Sequence, residues 1–491
     1  MIRITSYKSI VAALLTVFLV TACSEEFLEK KPLGQLSSET FFTTPEHAVL
    51  GTNAVYNLLR DWSVHVFSYI GTTDIISDDS DKGSTPNDAN FLLEVDNFTF
   101  DAGNTAFSGV WSGYYRGIYR ANLAIQEIPN IEMDETMKAR LIGENKFLRA
   151  YFYLSLVRWF GDIPLILEPL NPDQYEQARD PKEEVFAAIE QDLLDAIDAL
   201  PETYPPADIG RATKGAAQGL LARAYLTTGN FTGVRDMAEA VINSGRYDLY
   251  PNYTQLFQPI GENSVESVFE VQAEAFEVGG GGSQYNEVQG VRGIPNLGWG
   301  FNRPSDDLVA AYETGDPRRD ATIFYPGEIL PDGSDIISDN PNIVGERYNQ
   351  KAWVPDHPGG NGNGPGNIRL IRYADVLLMA AEAHNELGNP QQALEYLNQV
   401  RARARGTRTS VLPDITETNQ NALRDIIWHE RRVELAMEQQ RWFDIVRQGR
   451  AAELMQAVGK PFVEGKHEVL PIPQTEIDLS GGMLTQNPGY N

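Results

Sequence analysis

Apolar positions recur three and four residues apart over long stretches of the chain, the period of helices that bury one face. The pattern predicts a first helix beginning at Thr44-Pro45-Glu46, with Thr44 as cap and Pro45 in the first helical position, and running to about Trp62. It returns over 111–129, 133–161 and 182–200, then over 213–244 as a helix pair broken at Gly229. After a long interruption it resumes over 373–387, 390–405 and 421–447. Residues 70–107 are rich in Asp, Asn, Gly and Ser and read as loops. Residues 251–370 carry the glycine run 279–282, many prolines and asparagines, and a glycine-rich loop at 358–366.

Two helical segments match each other. Ala222-Arg223-Ala224-Tyr225-Leu226 leads into Gly229-Asn230, and Ala381-Glu382-Ala383-His384-Asn385 leads into Gly388-Asn389. Small residues let helices approach and the glycine permits the turn, which is the tetratricopeptide pattern of helix, turn and helix. The two copies lie far apart, with the irregular block between them. The expected fold is therefore mostly α: tetratricopeptide-like helix pairs form a scaffold over about 39–250 and 371–450, with a large loop-rich insertion at 251–370. Residues 39–491 make one compact domain.

The amino terminus follows another logic. Arg3 and Lys8 precede a stretch, 10–20, that is apolar except for Thr16, and Val20-Thr21-Ala22 supplies small residues before Cys23, the only cysteine. Residues 1–22 read as a secretory signal, too short to span a bilayer, which takes about 20 apolar residues. A cysteine directly after the small residues looks like a bacterial lipobox, so lipidation is expected at Cys23, followed by a linker over 23–38. Ser24-Glu25-Glu26 resembles an export tag of surface lipoproteins.

Charge and composition narrow the function. Forty basic residues against 68 acidic ones give a net charge of −28, a surface that repels nucleic acid. Without Cys23 there is no thiol for disulfides or metal, and the six histidines are scattered without a four-residue spacing. No cofactor is expected. Asp78, Asp79 and Asp81, or Asp332 and Asp335, could suit a structural calcium ion, although neither stretch completes the twelve-residue loop.

Five further segments carry a family resemblance: WSGYYRGIYRAN at 111–122, ENKFLRAYFYLSLVRWFGDIP at 144–164, RYADVLLMAAEAHNEL at 372–387, ERRVELAMEQQRWFDIVR at 430–447 and LPIP at 470–473. With the lipobox they span the chain in order, and the chain resembles the SusD/RagB outer-membrane lipoproteins of Bacteroidetes. One departure is Met437-Glu438-Gln439-Gln440, where that family usually has a glycine-rich turn. The resemblance implies a non-enzymatic, surface-exposed, lipid-anchored protein of the outer membrane. It also implies a SusC-like TonB-dependent barrel as partner and an oligosaccharide or peptide as cargo.

The residues themselves point to the loops for ligand binding. Sugar rings offer apolar faces to aromatics and hydroxyls to Asp, Asn, Gln and Arg. Trp299 lies among glycines and polar residues, with Asn302 and Arg303 close by; Tyr285 and Asn286 follow the glycine run; Trp62 adjoins Asp61 and Ser63; Trp353 precedes a glycine-rich loop. Asp78, Asp79 and Lys82 occupy a polar stretch that the resemblance places near the glycan. The acidic surface favours a neutral oligosaccharide, against which a local basic pocket around Arg292 and Arg303 would act. Glu430 and Glu434, four apart, share a helix face and read as ion-pair partners rather than a catalytic pair. A glycoside hydrolase on a helical scaffold and a tetratricopeptide adaptor for protein tails remain as alternatives.

Overall fold

A computed structural model describes residues 41–490, except 276–279, 294, 344 and 356–362. The signal segment, Cys23, the linker and part of each glycine-rich loop lie outside the described residues. The longer helices are α1 (Pro45–Leu58), α2 (Thr105–Glu127), α3 (Glu135–Phe160), α4 (Lys182–Ala199), α5 (Lys214–Thr228), α6 (Phe231–Asn243), α7 (Tyr373–Glu386), α8 (Pro390–Arg405) and α9 (Gln420–Glu434). Their starts are capped as the side chains dictate. The Thr44 hydroxyl accepts from the His47 amide ahead of Pro45, Asp134 accepts from the Met137 amide, and Thr213 accepts from the Ala216 amide. Gly229 ends α5 at φ 75°, a left-handed conformation that a side chain resists, and Asn230 then caps α6.

Helices α2 to α8 pack each against the next. The decisive contact is α6 on α7: two repeats separated by the insertion in sequence are adjacent in space, with His384 Nε2 2.8 Å from Glu239 Oε1 across the junction. Ala222, Ala224, Ala381 and Ala383 are buried along these helices, as close packing of small residues requires. The insertion thus loops out of a continuous helical run. It is pinned by short antiparallel pairs: β1 (Ser80–Gly83) with β3 (Phe301–Pro304), β2 (Ser267–Val271) with β6 (Ile368–Arg372), and β4 (Ile323–Phe324) with β5 (Tyr348–Asn349). It also holds a small core of its own, around Val291, Phe324, Tyr348 and Trp353.

Two expectations differ from the structure. Residues 70–107 are not simply loops: a π-helical turn at Gly71–Ile75, β1 and a helix at Asn90–Asp96 lie there, and residues 69–80 are buried throughout. The polar side chains of this segment make buried hydrogen bonds, so their polarity does not signal exposure. The helix expected over 421–447 breaks into α9 and Arg441–Arg447. At the break Met437 and Gln439 take φ values of 62° and 58°, the left-handed conformation that glycine would supply at less cost. Both side chains are buried and used: Met437 packs near Leu308 and Val433, and Gln439 Nε2 donates to Asp74 Oδ2 at 2.7 Å.

The carboxyl end returns to the start of the scaffold. The Leu470 amide donates to the Trp159 carbonyl, and Asn487 Nδ2 donates to the carbonyls of Phe160 and Leu470. The main core accordingly draws on residues from Val55 to Leu484.

Candidate functional site: an aromatic pair over a polar hollow

Trp62 opens a short helix, Trp62–His65, whose cap is Asp61; the carboxylate accepts from the Ser63 amide at 3.0 Å and from the Ser63 hydroxyl at 2.6 Å. This cap fixes the chain as it leaves α1 and presents the Trp62 indole outward, 40% exposed. Trp299 arrives from the insertion. Its amide donates to the Glu287 carbonyl at 2.9 Å, and Gly298 just before it lies so close to the same strand of chain that an added Cβ would meet the Glu287 oxygen at 2.1 Å. The two indoles stand side by side, centroids 6.0 Å apart and inclined at 56°. Phe67 supports both from beneath, at 5.0 Å from Trp62 and 6.1 Å from Trp299, and is itself flanked by Phe91 and Phe301.

Beside this pair is a hollow of about 490 Å³, lined by Phe67, Phe91, Trp299, Asp88, Arg292 and Asn296. Arg292 pairs with Asp88 and the Ser84 hydroxyl. Partial burial pushes the Asp88 carboxyl upward, but the hydrogen bonds from Arg292 and Ser84 outweigh it and hold the group below its ordinary range. Flat rings next to an ionised carboxylate, a guanidinium and an exposed amide make a surface on which one face of a sugar can stack while its hydroxyls find partners.

The other sequence candidates do not join this surface. Asp78 and Asp79 are buried and bound by arginines: Asp78 receives two hydrogen bonds from Arg441, at 2.8 and 2.6 Å, and Asp79 one from Arg432 at 2.7 Å. Lys82 is buried, its Nζ donating to the carbonyls of Thr85 and Asp88. Tyr285 donates to Gln439, and Asn286 to the Ala352 carbonyl, both from buried positions. Asn302, fully buried, bridges Asp74 and Gln289. Arg303 is engaged by Asp81 and the Gly345 carbonyl, and Trp353 anchors the core of the insertion against Phe324. Among the described residues no group of three His, Cys, Asp or Glu could hold a metal ion. Sequence reasoning missed Asp88, Asn296 and Phe91, which have no distinguishing neighbours in the chain.

Comparison with known proteins places this architecture. A family model described as "SusD family" matches residues 265–490, and one described as "Starch-binding associating with outer membrane" matches residues 26–226. SusD-like protein P2 of Formosa agariphila is 31% identical over 508 aligned residues, which cover 96% of this chain and 98% of that one. The chain belongs to the SusD family. Two solved structures of the family superpose on it. A laminarin binding SusD-like protein has a TM-score of 0.76 at 30% identity, and 91% of this chain and all of that one are covered. Surface glycan-binding protein A from Bacteroides thetaiotaomicron, solved in complex with laminarihexaose, has a TM-score of 0.76 at 25% identity with the same coverage. The mostly α SusD fold read from the sequence is thereby borne out. Among the described residues no helix is long and apolar enough to cross a membrane.

Proposed function

We propose that the protein is a cell-surface glycan-binding lipoprotein of the outer membrane, held by the acylated Cys23, that captures oligosaccharide and passes it to a SusC-like TonB-dependent transporter. The Trp62–Trp299 pair beside the Asp88–Arg292 hollow carries this reading. The laminarin and laminarihexaose named for the two solved relatives support glycan as the cargo. Binding without turnover accords with the state of the one carboxylate pair that the sequence singles out. Glu430 and Glu434 are buried, and each is held by guanidiniums, from Arg318 and Arg401 and from Arg372 and Arg403. Titration of a glycan array, laminarihexaose included, with analysis of the sugars afterwards, tests the proposal. Binding that leaves the sugars intact is the expected result; cleaved products would favour a hydrolase, and binding of peptide tails alone would favour an adaptor.

A further inference from the structure

Three arginines gather on one turn of α1. Asn53 Oδ1 accepts from Arg211 Nη2 at 2.9 Å, the Ala54 carbonyl from Arg120 Nη1 at 2.9 Å, and Asn57 Oδ1 from Arg60. The acceptors span about 6 Å of helix, and all three arginines line one cavity of about 640 Å³. They are not equivalent. Arg211 is neutralised by Glu144 at 2.9 Å and Asp208 at 2.7 Å. Among the described residues, Arg60 and Arg120 have no carboxylate within 4 Å; Arg60 turns instead to the Gly281 carbonyl. A guanidinium has five N–H donors; Arg60 spends two of them and Arg120 one. Many other arginines, Arg149, Arg223, Arg318, Arg372, Arg401 and Arg431 among them, sit against carboxylates, while Arg158 and Arg179 are held by carbonyls, amides and a ring.

The acids that line the cavity do not fill the gap. Asp208 serves Arg211, and Glu270 accepts from the Asn263 amide and Asn367 Nδ2; Glu274 is exposed. Partial burial lowers the pKa of both arginines; at Arg120 the charge of Arg116 lowers it further and the Asp61 carboxylate acts against both. The lining sets three acids against three arginines, but among the described residues none of those acids lies within 4 Å of Arg60 or Arg120.

It also borders the aromatic pair. Arg116 lies one helical turn before Arg120 on α2 and donates to Asp61 Oδ1 at 2.9 Å and the Ser63 hydroxyl at 2.8 Å, on either side of Trp62. One strip of surface therefore runs from Trp299 and Trp62 past Asp61 to Arg120 and Arg60. Leu50 and Ile209, both about half exposed, give the cavity an apolar wall.

We propose that this cavity is a second glycan subsite, in which Arg60 and Arg120 take the carboxylate of a uronic acid residue borne on an otherwise neutral sugar chain. The subsite rests on the glycan-binding reading above. A guanidinium fork fits a planar carboxylate with two parallel hydrogen bonds. The overall charge of −28 opposes a chain with an acid on every sugar, so the acids are spaced.

Isothermal titration of the full-length protein in detergent tests the subsite. The probes are a glucuronate-substituted xylo-oligosaccharide and a hyaluronan hexasaccharide, each beside its carboxyl-reduced form, with laminarihexaose as the neutral reference. At least one acid should bind about tenfold or more tighter than its reduced form, and the preference should shrink as salt is raised. In the double variant Arg60→Gln/Arg120→Gln, shown to be folded by its thermal melt, the ratio of acid to reduced affinity should approach one. Equal affinity for acid and reduced forms, or a preference that survives in the double variant, overturns the subsite. If laminarihexaose binds and no acid is preferred, the subsite falls while the glycan reading stands; if no sugar binds at all, both fall.

Discussion

The Trp62 indole lies against that of Trp299 with centroids 6.0 Å apart, yet the two rings arrive from chain segments more than two hundred residues distant and are held in different ways. Trp62 is 40% exposed, whereas Trp299 is half-buried and packs against the main core. Trp62→Ala should therefore melt within a few degrees of the parent and lose affinity for the selected glycan by about 2 kcal/mol. Trp299→Ala should lose affinity similarly and also lower the melting temperature, because a half-buried ring contributes part of the about 3–5 kcal/mol that a core aromatic does. Calorimetric melts beside isothermal titration check both. Unchanged affinity in the two variants would remove the aromatic pair from the site.

The buried arginines yield a second expectation. Arg318 is fully buried and reaches Asp316 at 2.7 Å, Glu430 at 2.6 Å and Glu434 at 3.2 Å. Removing it leaves carboxylates without their partner, so Arg318→Met should cost about 3–5 kcal/mol in urea unfolding. Adding Glu430→Gln should return part of that loss. A single variant as stable as the parent would mean that the network carries no net stability.

Acid should unfold the protein over a definite window. Burial pushes the carboxyls of Asp78 and Glu434 up, but Arg441 beside Asp78, and Arg403 and Arg372 beside Glu434, bring both down to about 2. Their unfolded values are about 4. A folded pKa below the unfolded one means stability that is present above pH about 4 and lost as pH falls towards 2. Asp74 works in the other direction: burial raises it to about 6, so its contribution declines as pH climbs from about 4 to 6. Melting temperatures across this range should fall steeply on the acid side, and Asp78→Asn should begin lower at neutral pH and fall less steeply. A parallel acid limb in the variant would exclude Asp78 from the effect.

Gln439 offers a test of strain against pairing. Its left-handed backbone costs roughly 1–2 kcal/mol, which glycine would relieve. Its side chain, however, supplies a hydrogen bond to buried Asp74 whose loss costs about 1–3 kcal/mol. Gln439→Gly should therefore be neutral to destabilised by about 1 kcal/mol, and Gln439→Ala, which keeps the strain and loses the bond, should be worse than glycine. Denaturant midpoints give the order; alanine above glycine would refute it.

At the amino terminus, Cys23→Ser should release the folded protein from membranes, since the lipid on that cysteine is the expected attachment. Fractionation at high salt checks it, and retention of the variant with the membrane would point to another anchor.

The helix pairs on either side of Gly229 and Gly388 were legible because their signals are local: a cap, a small-residue stripe and a turn glycine within thirty residues. The segment from 70 to 83 was not, because what makes its polar residues fit for burial lies elsewhere. Asp79 finds Arg432 and Asp78 finds Arg441, both more than three hundred and fifty residues away. A polar run that is neutralised from a distance looks like a solvated loop until the partner is known. The same holds for the binding surface. Trp62 and Trp299 could be picked out by their polar and glycine neighbours, but Asp88 and Asn296 are ordinary loop residues until the fold sets them beside an indole. Asn302 and Tyr285 had equally suitable neighbours and are buried hydrogen-bonding residues.

The return of the last segment to the first helices bears on how the protein is made. Leu470 and Asn487 bond to the carbonyls that end α3, and Gln474 to the Ala102 carbonyl just before α2. A polypeptide is made amino end first, so α2 and α3 emerge long before the residues that seal them. The main core cannot close until residues 470–490 have been made, and contacts so distant in sequence form slowly. During that interval the apolar faces of α2 and α3 stay open, and a chaperone has its time to act.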